Sequence, residues 1–109
     1  LAIGGDSAGG TLAATVCSRA RENGKFPIQL QVLIYPVTDM TLSHPSMTQC
    51  GKGYILTKSL MEWFRKHYLP DEAMWRDPDA SPLHSRDLSK LPEFIVSNKE
   101  KYKDFLDYD

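Results

Sequence analysis

Apolar residues recur along this chain with two different periods, and the switch between them outlines the fold. Leu1, Ala2 and Ile3 form a short apolar run that reads as the end of a buried strand reaching Gly4. Beyond a glycine-rich turn, Leu12, Ala13, Val16, Cys17 and Ala20 fall at helical spacing. They predict a helix from Gly9 to about Glu22, with Asn23-Gly24 as its stop. After Pro27, the segment Gln29 to Tyr35 ends in a continuous apolar run, as expected of a parallel strand covered on both faces. Strand, tight turn, helix and strand together make one βαβ unit, whose crossover is expected to be right-handed.

The remainder is less regular. Pro36, Pro45, Gly51 and Gly53 punctuate residues 36 to 57, which are read as irregular. Thr57 is placed to cap a helix from Lys58 to about Tyr68, with Leu60, Met61, Phe64, His67 and Tyr68 on or near one side. A Pro- and Asp-rich loop follows over residues 70 to 92, then a third short strand from Glu93 to Val96. The end of the chain, Ser97 to Asp109, is densely charged. Tyr102, Phe105 and Leu106 are spaced there as on a weak amphipathic helix. The domain reading is one α/β unit over residues 1–96 with a charged tail over 97–109. No internal repeat or low-complexity segment interrupts it.

The turn between the first strand and the first helix carries the chemistry. Gly5-Asp6-Ser7-Ala8-Gly9 matches G-x-S-x-G, the pattern of a nucleophile elbow. A serine hydroxyl is a weak nucleophile until a base takes its proton, and the elbow lifts it above the sheet where a base can reach it. Gly5 and Gly9 flank the serine because a side chain at either place is expected to collide with the neighbouring strand or helix. The helix that follows aims its N-terminal amides at the reaction centre, so the Ala8 N–H becomes a candidate oxyanion donor. Asp6 and Gly10 complete the turn. A phosphate loop is the competing motif, since Gly4-x-x-x-x-Gly9 runs into Gly10-Thr11. Gly10 stands where that motif needs its lysine, so the charge that meets the phosphates is missing.

Composition narrows the picture without sharpening it. The 109 residues suffice for one core, and 41% hydrophobic with 25% charged residues is ordinary for a soluble globular domain. A net charge of −1 gives no electrostatic footprint for nucleic acid. No apolar run is long enough to span a membrane, and no signal-peptide pattern is present. Cys17 and Cys50 form no C-x-x-C pair and read as reduced thiols of a cytoplasmic protein, with Cys17 buried on its helix. His44, His67 and His84 lie too far apart for metal-ligand spacing, so neither a metal nor another cofactor is expected. None of the three is marked as a base. His44 and His84 read as loop residues and His67 as a packing residue. Asp6 adjoins the serine and so is poorly placed to hold the far side of a histidine. Trp63, Phe64 and Tyr68 read as core in preference to a pocket wall.

Beyond the elbow the sequence resembles a known group. Gly5-Asp6-Ser7-Ala8-Gly9-Gly10 is similar to the G-D-S-A-G-G signature of the hormone-sensitive-lipase-like esterases of the α/β-hydrolase fold. Leu33-Ile34-Tyr35-Pro36-Val37-Thr38-Asp39 resembles the strand and turn after the elbow helix in that group. Gly53-Tyr54-Ile55-Leu56-Thr57 and Met61-Glu62-Trp63-Phe64, with His67-Tyr68-Leu69, resemble its next loop and helix. Asp77-Pro78, Ala80-Ser81-Pro82-Leu83 and Asp87-Leu88-Ser89-Lys90-Leu91-Pro92 are similar to the approach to its next strand.

The resemblance implies a partial α/β-hydrolase fold, about three parallel strands with flanking helices, and a carboxylic ester hydrolase acting on small esters. It makes Ser7 the nucleophile and the Ala8 N–H one oxyanion donor. The group's H-G-G-G loop is expected well before the elbow and its triad histidine after residue 109. Its triad acid is expected in a D-x-L segment. Asp104-Phe105-Leu106 keeps that pattern, shifted downstream, which makes Asp104 a candidate acid against the plainer reading of a solvated charge in the tail. Two readings follow: the middle piece of a carboxylesterase, or a non-catalytic α/β remnant. In either case the sheet edges are expected to be exposed and to favour pairing with a second copy.

Overall fold

The computed structural model describes residues 1–49 and 56–97. Three strands, β1 (Ala2–Asp6), β2 (Leu30–Ile34) and β3 (Glu93–Ser97), lie side by side in chain order, and both pairings are parallel. Ala2 stands opposite Leu30, and Leu30 opposite Glu93, so the strand ends are level and all three C-termini reach one rim of the sheet. The helix α1 (Ala8–Asn23) makes the first crossover and packs against β1 and β2. Gly24 closes it in the left-handed region at φ 70°, its N–H returning to the Ala20 carbonyl, as the Asn23-Gly24 stop predicts.

The buried face of α1 is narrower than its apolar spacing suggests. Gly10, Ala13, Cys17 and Ala20 turn inward, three or four residues apart, and small side chains let the helix approach the sheet closely. Leu12 and Val16, expected in the same face, remain 54% and 44% exposed on its flank. On β2, Gln31 and Leu33 are buried while Ile34 is exposed. Burial raises the pKa of the Cys17 thiol above its ordinary value of 9.0, and the side chain acts as a small core hydrophobe.

Two further helices follow β2: α2 (Pro45–Gln49) and α3 (Lys58–Tyr68). The short α2 corrects the expectation of an irregular stretch over 36–57. Five residues carry too little periodicity to be seen against flanking prolines. Thr57 caps α3 as expected, its hydroxyl accepting the Leu60 N–H at 3.2 Å. Residues 70 to 92 are a loop held by tertiary hydrogen bonds, with single 3₁₀ turns at Glu72–Met74 and Pro82–His84. From α1, Thr15 donates to the Asp79 carbonyl at 2.7 Å, and Arg19 forms a two-pronged pair with the Asp79 carboxylate. Arg21 donates to the carbonyls of Asp87 and Ser89 at 2.7 and 2.8 Å. These contacts return the chain to the sheet for β3, where Phe94 and Ile95 stay 64% and 57% exposed.

Candidate functional site

β1 ends at Asp6 and α1 begins at Ala8, so Ser7 is the single residue of the turn. Its backbone sits at φ 52° and ψ −118°, a conformation that costs a side-chain-bearing residue about 1–3 kcal/mol and persists only where surroundings enforce it. They do so on both sides. The Ser7 N–H donates to the Ile34 carbonyl at the end of β2 (2.8 Å), and the Ser7 carbonyl accepts the Thr11 N–H (3.2 Å). A Cβ on Gly5 would lie 2.4 Å from the carbonyl carbon and oxygen of Gly9, so only glycine fits there. A Cβ on Gly10 would lie 3.1 Å from the Gly5 carbonyl oxygen and from Pro36.

Gly9 itself corrects the expectation of a collision, because a Cβ there would meet nothing closer than 4.0 Å, at Asp6 Oδ1. Tight packing at the elbow comes from Gly5 pressing on the Gly9 backbone. The Ser7 side chain makes no capping bond to α1, and the Ala8 N–H is one of the leading amides without an intrahelical acceptor.

A side-chain latch joins this turn to the segment after β2. Thr11, 4% exposed, accepts the Val37 N–H at 3.0 Å through its hydroxyl oxygen and donates the hydroxyl proton to the Val37 carbonyl at 2.8 Å. Tyr35 turns at φ 37°, and its hydroxyl donates to Asp6 Oδ2 at 3.4 Å.

Beside Ser7 opens a cavity of about 570 Å³, within the range of roughly 300–1,000 Å³ typical of small-molecule sites. Ala8, Leu12 and Val37 line it on the elbow side, with Met40 and Leu42 from the next loop. Opposite stand Met61, Phe64, His67 and Tyr68 of α3. Trp63, Phe64 and Tyr68 remain 54%, 51% and 57% exposed, which corrects the expectation that these aromatics form core. No residue of α3 is buried, so its apolar stripe serves as a wall.

That wall is held by polar contacts invisible in the sequence pattern. Arg65 Nη1 donates to the carbonyls of Met40 and Thr41 at 2.9 and 3.0 Å, and its guanidinium lies 3.5 Å over the Trp75 ring. Ser81, fully buried, donates to the Trp75 carbonyl and accepts the Met40 N–H at 2.7 Å. Beneath them Asp39, 8% exposed, receives the Thr41 N–H and hydroxyl at Oδ1 (3.0 and 2.7 Å). His84 Nε2 reaches the same oxygen at 2.9 Å, and His44 Nε2 reaches Oδ2 at 3.1 Å. Burial pushes the Asp39 carboxyl up. The hydrogen bonds from Thr41 and His84 outweigh burial and bring its pKa down to about 2, from 3.8.

His67 and His84 therefore differ from their sequence readings, while His44 keeps its exposed loop position. His84 is a half-buried partner of Asp39, and His44 pairs with it from an exposed position. His67 lines the cavity instead of packing in a core. None of these three histidines is hydrogen-bonded to Ser7. Asp39 was missed because its partners lie up to 45 positions away, and only the Asp39-Met40-Thr41 turn is local. Asp104, the candidate acid, and Cys50 lie outside the described residues.

A strained serine between a parallel strand and a helix, at the C-terminal rim of the sheet, defines the elbow of an α/β hydrolase. Residues 1–104 match the family described as alpha/beta hydrolase fold, and the chain belongs to that family. Its three parallel strands and helices are a part of that fold. Its relatives are carboxylesterases. It is 44% identical over 103 residues to a carboxylic ester hydrolase of Mycobacterium tuberculosis, covering 89% of this chain and 27% of that one. It is 42% identical over 84 residues to an ethyl acetate hydrolase of Pseudomonas putida, covering 76% of this chain and 26% of the other. Among solved structures, a thermostable esterase of Pseudomonas putida superposes with a TM-score of 0.84 at 37% identity, over 88% of this chain and 31% of that one. The chain thus spans about a quarter to a third of the length of these relatives.

Proposed function

We propose that residues 1–96 carry the nucleophile-bearing centre of a serine carboxylesterase acting on small esters, with residues 97–109 as a charged tail. The observation that supports this most directly is Ser7 at φ 52° and ψ −118°, alone between β1 and α1 and facing the cavity of about 570 Å³. In this reading Ser7 Oγ forms a bond to the ester carbonyl carbon as a base removes its proton. The negative charge that develops on the carbonyl oxygen is met by the Ala8 N–H, a type of contact worth about 10²–10³ in rate. The C–O bond to the alcohol then breaks, the alcohol leaves with the proton, and water releases the acid from Ser7. Gly5, Asp6, Gly9 and Gly10 shape the turn, and Asp104 is the proposed acid behind the base.

Because the chain spans a quarter to a third of its relatives, we read it as the central piece of a longer enzyme. Codons for an H-G-G-G loop upstream and a histidine downstream, in frame in the flanking DNA, are the expected result. Clean start and stop codons would overturn it. The unpaired, buried Cys17 favours a cytoplasmic setting.

The chemical test is labelling with a fluorophosphonate and hydrolysis of p-nitrophenyl butyrate. Modification at Ser7 and turnover above a Ser7→Ala control are expected. Absence of both in this chain would sink independent esterase activity. One observation favours a second, non-catalytic reading: apolar Phe94 and Ile95 are exposed on the edge strand β3, a surface on which a second copy can pair. Analytical ultracentrifugation showing a dimer that Ile95→Lys dissolves is its test.

A further inference from the structure

The cavity beside Ser7 is apolar except at a few points, and two of its polar side chains, Thr11 and Arg65, are already engaged. The Thr11 hydroxyl is spent on Val37, and the Arg65 guanidinium on Met40, Thr41 and Trp75. His67 is different. Its Nδ1 lies 2.8 Å from the Trp63 carbonyl one helical turn earlier. A carbonyl only accepts, so Nδ1 carries the proton, and in the neutral ring Nε2 presents a lone pair. The ring is further fixed by the Trp63 indole, 4.2 Å away between centroids. Among the described residues Nε2 has no partner, and His67 lines the cavity together with Ser7. The wall therefore carries an oriented hydrogen-bond acceptor, on an exposed imidazole that lines the cavity together with Met61, Phe64 and Leu12.

We infer that this site selects esters whose apolar chain carries a hydroxyl group, which donates to His67 Nε2 while the ester carbonyl lies at Ser7. The inference rests on the reading of the cavity as an ester site. An aliphatic chain suits the Met, Phe and Leu surfaces. A donor on that chain gains a partner at His67, where a plain alkyl end displaces water from Nε2 and gives nothing back.

The test uses the full chain with Ser7→Ala, so that the ester stays intact, and measures binding by calorimetry. The ligands are ethyl esters of ω-hydroxy acids with four to eight carbons, each matched with the plain ester of equal length. At the best length the hydroxy ester is expected to bind about fivefold more tightly, the worth of one neutral hydrogen bond. His67→Phe is expected to abolish that preference, His67→Gln to retain part of it through the amide oxygen, and Tyr68→Phe to leave it unchanged. In long-range ¹H–¹⁵N spectra the His67 Nε2 resonance should move with the hydroxy ester alone. Equal binding of matched esters, or a preference that follows Tyr68, overturns the inference. If the unsubstituted chain still hydrolyses p-nitrophenyl butyrate, the esterase reading survives that outcome. Failure of every ester to bind overturns both.

Discussion

The two sides of the cavity are built in opposite ways. On the elbow side, position is set mainly by the backbone, with Gly5 on Gly9, Gly10 on Gly5 and Pro36, and Ser7 N–H on Ile34, and the Thr11 and Tyr35 side chains add to it. On the α3 side, position is set by side chains reaching backbone: Arg65 to Met40 and Thr41, Ser81 to Met40 and Trp75, and Asp39 to Thr41. Backbone contacts leave little slack, so Ser7 is held in one conformation. Side-chain tethers hold the opposite wall through hydrogen bonds that do not involve Ser7. The difference teaches that the serine turn and the wall facing it are positioned by separate kinds of contact.

Substitutions can break this contrast, beginning with the most severe. Gly5→Ala places a Cβ 2.4 Å from backbone that cannot move aside. A loss of roughly 4 kcal/mol or more in urea unfolding is expected, together with loss of Ser7 labelling. A stable, labelled Gly5→Ala protein would refute the backbone account of the elbow.

Asp39→Ala strips acceptors from Thr41, His84 and His44, and a loss of about 3 kcal/mol is expected, with the elbow intact in labelling. Its acid dependence has a fixed sign. The folded pKa of about 2 lies below 3.8, so the carboxylate contributes stability that is complete above pH 3.8 and fades as pH falls through about 2. Roughly 2 kcal/mol of acid-sensitive stability is expected from that shift, absent in Asp39→Asn. Unfolding measured from pH 5 to pH 2 on both proteins checks it.

Ser81→Ala leaves the Met40 N–H without its acceptor in a fully buried place, a loss of about 1–3 kcal/mol by thermal unfolding. The mildest is Arg65→Lys, which surrenders the planar stack on Trp75 but keeps a donor for the loop carbonyls. A change of about 1 kcal/mol is expected, with a shift in Trp fluorescence.

The same contrast explains what could be seen in the sequence. The elbow is a local object: its strand, turn and helix are contiguous, and its glycines and serine sit at fixed offsets from one another. β2, β3, α3 and the Thr57 cap were legible for the same reason, each declaring itself within a few residues. The α3 wall is a non-local object. Asp39 meets His84, Arg65 meets Met40, and Ser81 meets Met40 only after the chain has folded back. No periodicity encodes such meetings. The aromatic stripe of α3 illustrates a related limit, since helical spacing reports that Phe64 and Tyr68 share a face but not whether that face meets a core or a cavity.

The sheet order carries a consequence in time. The strands are neighbours in the order they are made, yet the first parallel crossover spans Leu30 from Ala2 and the second spans Glu93 from Leu30, more than twice as much chain. Closing the longer loop costs about 0.6 kcal/mol more in chain entropy, and non-local pairing slows folding in general. The β1–α1–β2 unit is therefore expected to assemble first. The serine turn lies wholly inside that first crossover, so its formation does not require β3.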